Sequence, residues 1–184
     1  MKTLHKIGDV NELQTGDILH SQNFGIVSLG IAAGTAFGRL LSLRSVPTHT
    51  AMVVREGGRI QVYESNFGEG VHSDEFSNWF KKRQGFGKRV WYTPIDATGY
   101  RHDLGQVARA MEGLDYERVI EMFGIPFNLN DKDEKRVFCT EFVYRCYLHA
   151  TKGEWVSPHV KNPDNVNPYL FAAKVLNDWP KREI

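Results

Sequence analysis

The sequence predicts an α+β fold, and three observations carry that expectation. Two runs rich in β-branched and aromatic residues, Thr48 to Arg55 and Arg59 to Ser65, flank Gly57-Gly58, the signature of a hairpin. A segment opening at Cys139 repeats small or apolar side chains at Cys139, Val143, Cys146 and Ala150, the stripe of a helix packed on one side. Strands gather ahead of most helices instead of alternating with them, which favours α+β over a chain of βαβ units.

The elements follow in order. Thr15 to Ser21 reads as a turn feeding a short strand. Phe24 to Leu43, rich in Gly and Ala with apolar residues at mixed spacing, reads as a helix of modest intrinsic stability. Pro47 breaks the chain before the hairpin. Val71 to Ser73 is expected as an edge strand, with Asp74 as N-cap of a helix through Phe80 and Lys81. Lys88 to Pro94 is expected as a strand, and His102 to Glu112 and Tyr116 to Phe123 as helices. Asn128 to Arg136 reads as a charged loop, and the Cys139 helix continues to Thr151. The proline-bearing tail is expected to be loop with one helix from Asn167 to Leu176.

A chain of 184 residues can bury a real core, and one domain over residues 1–184 is the expectation. With 41% hydrophobic and 24% charged residues it belongs among globular chains. The 23 basic and 22 acidic side chains nearly cancel, so no nucleic-acid partner is expected from charge. Met1 to Leu13 is polar and charged and shows no secretory leader. A cytoplasmic location is therefore expected, with export by another route left open. The longest apolar stretch, Phe24 to Leu41, is interrupted by glycines and Arg39 and is too weak for a transmembrane segment. Cys139 and Cys146 would lie roughly 10 Å apart along a helix, beyond disulfide reach, so free thiols and a reducing compartment are expected. Lys81 to Arg89 gathers five basic residues around Phe86. It reads first as a solvated turn, with a weak contact to an anionic surface as the alternative. His5, His72, His102, His149 and His159 show no metal-ligand spacing, and no loop cradles a phosphate, so no metal or cofactor is expected.

Cys139 stands where a charged loop becomes a helix. Unsatisfied N–H groups and the positive end of the helix dipole favour thiolate there, although a buried free cysteine is also an ordinary small hydrophobe. Cys146, in mid-helix, is the poorer nucleophile. Closing the hairpin at Gly57-Gly58 pairs Glu56 with Arg59, Arg55 with Ile60, Val53 with Val62 and Ala51 with Glu64. Alternation then puts His49, Ala51 and Val53 on one face with Val62 and Glu64. His49 falls diagonal to Glu64, about 7–8 Å away before side-chain reach is counted, with Asn66 directly opposite it. A strand histidine alone is unremarkable, but a carboxylate aimed at a buried face needs a partner, and His49 is the nearest. Thiol, imidazole and carboxylate are the equipment of a cysteine hydrolase.

In their order along the chain these segments resemble the circularly permuted papain-like, NlpC-type cysteine peptidases and amidases, in particular the YiiX/YaeF-like group. The resemblance rests on Gly16-Asp17-Ile18-Leu19, Thr48 to Val54, Val62 to Ser65, Phe138 to Tyr144, Val156 to Pro158 and Asn167 to Leu170. Histidine and carboxylate precede cysteine, as the permuted arrangement requires. The resemblance implies a permuted papain-like fold, with an antiparallel sheet packed against the cysteine-bearing helix. It implies Cys139 as nucleophile, His49 as base and then acid, and Glu64 as the group orienting the imidazole. His20, Tyr63 and Asn66 are expected to line the substrate side. The substrate would be a peptide, a cell-wall-type amide or an N-acyl small molecule, cleaved through an acyl-enzyme. A thioesterase or acyltransferase on lipid-linked acyl groups is the alternative, and a non-catalytic binding module on the same scaffold is another.

Overall fold

The computed structural model describes residues 2–3, 11–22, 48–84, 89–115, 137–158, 171, 175–176 and 179–180. Among them the strands are β1 (Lys2–Thr3), β2 (Ile18–Gln22), β3 (His49–Glu56), β4 (Arg59–Asn66), β5 (Gly70–Glu75) and β6 (Arg89–Thr93). The helices are α1 (Phe76–Lys82), α2 (Arg101–Ala110) and α3 (Cys139–Ala150). The strands form one sheet in the order β1-β6-β2-β3-β4-β5, antiparallel throughout. The fold is α+β, as the pattern of elements predicts. The helices expected at Phe24 to Leu43 and Tyr116 to Phe123, the loop at Asn128 to Arg136 and most of the tail lie outside the described residues.

The hairpin forms because Gly57 and Gly58 both take positive φ, 54° and 83°, the pair a tight primed turn demands. Its ladder runs from Glu56↔Arg59 through Val53↔Val62 to Met52↔Tyr63. The Ala51–Glu64 pair that simple extension of this register predicts is not made. Beyond Met52, β3 pairs with β2, Leu19↔Ala51 and Ser21↔His49, while β4 from Glu64 to Asn66 pairs with β5. The two strands therefore part at the end that carries His49 and Glu64.

One expectation at the next element is overturned. Asp74 does not cap a helix; it lies within β5, paired with Val62, and its carboxylate holds Lys82 Nζ at 2.8 Å. Strand pairing extends one residue further, to Gln61↔Glu75, and α1 starts only at Phe76 with no side-chain cap.

Alternation along the strands divides the interior into two cores. Ile18, Met52, Val54 and Tyr63 face α2 and α3, packing with Leu104, Phe142 and Val143. Leu19, Ala51, Val53 and Val62 face α1, packing with Phe76, Trp79 and Phe80. The turn before β2 is tied to the sheet by backbone bonds, Gly16 N to Val53 O and Val53 N to Asp17 O, both at 2.9 Å. The buried Asp17 carboxylate accepts from the Ile95 N–H at 3.1 Å and the Gln14 N–H at 2.9 Å. That explains an acid at this position on structural grounds alone.

Candidate active site

Cys139 is the first residue of α3, preceded by Phe138 in extended backbone conformation. Val137 fixes the approach: its carbonyl accepts from Ser65 Oγ at 2.6 Å, and its N–H donates to Asp115 O at 3.0 Å. Ser65 belongs to the stretch of β4 that has left β3, so the helix start is pinned beside the parting of the strands. At the helix end, Glu141 reaches back to the Phe138 N–H at 3.4 Å, the reciprocal half of a capping box.

His49 stands at the first position of β3 and meets two partners. Its Nε2 lies 2.8 Å from Glu64 Oε2, and Cys139 is near enough to act on the charge of the ring. With Nε2 engaged by Glu64, Nδ1 is the nitrogen left for the thiol. Burial alone would lower the His49 pKa, but the influence of Cys139 and the charge of and hydrogen bond to Glu64 outweigh it and push it up to about 9. Cys139 is 1% exposed and His49 9% exposed.

Glu64, itself buried, is the hub of the cluster. Besides His49, its oxygens accept from Trp79 Nε1 at 2.5 Å, from Asn66 Nδ2 at 2.7 Å and from Arg83 Nη2 at 2.7 Å to each oxygen. His72 Nε2 approaches at 3.5 Å and also meets Glu69 at 3.4 Å. Burial alone would raise the Glu64 pKa; the His49 charge and hydrogen bond, the His72 hydrogen bond and the Arg83 charge hold it well below the ordinary carboxylate range. The bond to Glu64 in turn raises the His72 pKa.

The three residues expected on the substrate side are placed differently from one another. Asn66 lies at the cluster, but its amide bonds Glu64 and, at 3.4 Å, Glu69. Tyr63 points to the opposite face, into the α2–α3 core, with Ser73, Glu56 and Glu112 around its hydroxyl. One residue of alternation is enough to carry it away from Glu64. His20 also lies on the α3 face, between Thr50 Oγ1 and Thr93 Oγ1 at 3.4 Å each and beside the Phe171 ring. Burial, with the nearby His49 charge adding to it, drives its pKa down to about 3, so it is neutral.

Sequence reasoning missed Trp79 and Arg83. Arg83 lay within Lys81 to Arg89, read as a solvated turn, yet its side chain is 8% exposed and bound to Glu64, and the neighbouring Lys82 is held by Asp74. The available signal was the i, i+4 spacing of Trp79 and Arg83 next to a carboxylate that one histidine could not saturate.

The chain matches the family described as permuted papain-like amidase enzyme, YaeF/YiiX, over residues 12–172. No curated protein matches it in sequence. Its structure is similar to the crystal structure of a protein described as metalloprotein YiiX from Escherichia coli, with a TM-score of 0.54, 20% identity, and coverage of 83% of this chain and 77% of the other. Among the described residues here, no group of three or more His, Cys, Asp and Glu side chains is placed to hold a metal, and the oxygens of Glu64 are taken by nitrogen donors. No described helix is long and apolar enough to cross a membrane. The match over most of its length, on a sheet and a cysteine-headed helix of the expected arrangement, places this chain in the permuted papain-like amidase family.

Proposed function

We propose that the chain is a cysteine amidase in which Cys139 is the nucleophile, His49 the proton carrier and Glu64 its orienting group. The observation that carries this reading is His49 held 2.8 Å from Glu64 with Cys139 near enough to act on its charge, so that its pKa is pushed up to about 9. At neutral pH such a ring is protonated, the state that stabilises a thiolate nucleophile as it forms. The thiolate attacks the amide carbonyl, and the oxyanion faces the Cys139 N–H at the start of α3, a donor with no partner inside the helix. His49 passes its proton to the leaving amine as the C–N bond breaks. Water then attacks the thioester, His49 takes the proton, and the acid leaves. The family supports amide cleavage; a peptide or an N-acyl small molecule is the substrate class proposed.

The test is alkylation of the native chain by iodoacetamide near pH 7. Cys139 is expected to react, and His49→Ala to slow it by a factor of about 10² or more. Cys139→Ala is expected to abolish both labelling and amide cleavage with the fold retained. The 1% exposure of Cys139 favours the rival reading of a binding module. A thiol that stays inert in the folded chain, or cleavage that survives Cys139→Ala, decides against the proposal. An acyl group that passes from Cys139 to an added alcohol or amine in preference to water marks the acyltransferase alternative.

A further inference from the structure

Three groups that can carry positive charge face Glu64 among the described residues: His49, His72 and Arg83. The charge of His49 comes and goes with the proton it moves in the reaction proposed above. Arg83 differs from both histidines, because a guanidinium is not deprotonated in a protein. Arg83 is built into place. It follows the last residue of α1, its guanidinium carbon lies 4.2 Å over the Trp79 ring, and Nη1 donates to the Trp79 carbonyl at 3.3 Å. Its Nη2 sits 2.7 Å from each Glu64 oxygen. The other groups facing Glu64 are His49 from β3, Asn66 on its own strand, His72 from β5 with Glu69 behind it, and Trp79 from α1. Cys139 from α3 and His20 from β2 act through His49.

We propose that Arg83 is a positioning residue whose guanidinium keeps Glu64 ionised and fixed while His49 gives up and regains its proton. This rests on the assignment of Cys139 and His49 above. In the ion-pair form that attacks the amide, thiolate, imidazolium, carboxylate and guanidinium sum to zero. After His49 has protonated the leaving amine, the acyl-thioester and the imidazole are neutral, and Glu64 and Arg83 still cancel. Without Arg83 each state gains one net negative charge in the buried cluster, and His72, partly exposed and shared with Glu69, offsets it only in part. Proton uptake relieves it, on Cys139 in the ion-pair form and on Glu64 in the acyl-enzyme.

Two readouts on the folded, full-length chain test this. Arg83→Met is expected to move the acid limb of the Cys139 alkylation profile up by about one pH unit, a tenfold loss of rate at a pH on that limb. Arg83→Lys is expected to recover most of it, and the shift should shrink in a Glu64→Gln background. NMR titration of the His49 ring is expected to show an upward move of its midpoint in the same variant. Should Arg83→Met not fold, Arg83→Gln takes its place in both measurements. A folded variant whose alkylation profile and His49 titration both superimpose on those of the parent overturns the role, as does a loss that Arg83→Lys fails to recover and Glu64→Gln fails to diminish. If the parent Cys139 proves inert, the nucleophile assignment falls, and the NMR titration still decides whether Arg83 sets the proton affinity of the His49–Glu64 pair.

Discussion

Two histidines on adjacent strands are driven in opposite directions by what surrounds them. His20, between two threonine hydroxyls, is lowered to about 3 by burial, whereas His49, beside Cys139 and Glu64, is raised to about 9. Linkage gives each an opposite effect on stability. The unfolded chain binds a proton at His20 below its ordinary value of 6.5 and the folded chain does not, so stability falls as pH drops from 6.5 toward 3. The folded chain holds its His49 proton where the unfolded chain has lost it, so that contribution is full below 6.5 and disappears as pH rises through about 9. Glu64, held below its ordinary value of 4.5, adds stability above that value that is lost as pH falls through its folded pKa. Urea unfolding is therefore expected to show greatest stability near pH 6.5. His20→Asn, whatever its absolute stability, should flatten the curve on the acid side. An unchanged acid slope would contradict a buried neutral His20. Neither shift was legible in the sequence, because both come from neighbours far along the chain.

At the scale of elements, local signals were readable where local geometry decides. The hairpin register follows from a two-glycine turn and from alternation, and it brought His49 and Glu64 onto one face. Asp74 shows the converse. A good capping residue was overruled because the hydrogen bonds of β5 to β4 run on to Glu75, and only the sheet determines how long pairing lasts. Gly16 joins elements in a way composition hides. Its φ is 97°, its carbonyl accepts from the Tyr147 hydroxyl of α3, and a Cβ there would meet that hydroxyl at 2.8 Å and the Ala97 Cβ at 2.9 Å. Gly16→Ala is expected to cost about 2–4 kcal/mol, from the backbone conformation and the overpacking together. Chemical denaturation measures it, and a loss under about 0.5 kcal/mol would mean that the β2 turn and α3 are not packed as described.

For the whole molecule, Cys146 gives a global reporter. It is buried in the core between the sheet and α3, its sulfur 3.9 Å from Met111 Sδ, and burial pushes its pKa far up. Labelling of Cys146 is expected only through unfolding, so in a Cys139→Ala chain its rate should follow the unfolding equilibrium as urea is added. Labelling without denaturant at a rate insensitive to urea would contradict this. The sequence by itself determined the α+β class, the hairpin, the start of the cysteine helix and the face shared by His49 and Glu64. Each depends on periodicity or on a turn a few residues long. The tertiary structure decided how β3 and β4 part beside Cys139, which face α1 covers, and that Arg83 is buried against Glu64 instead of solvated. Those outcomes come from pairing and packing between segments distant in the chain, where the need of one buried carboxylate for several donors selects among arrangements that no local pattern distinguishes.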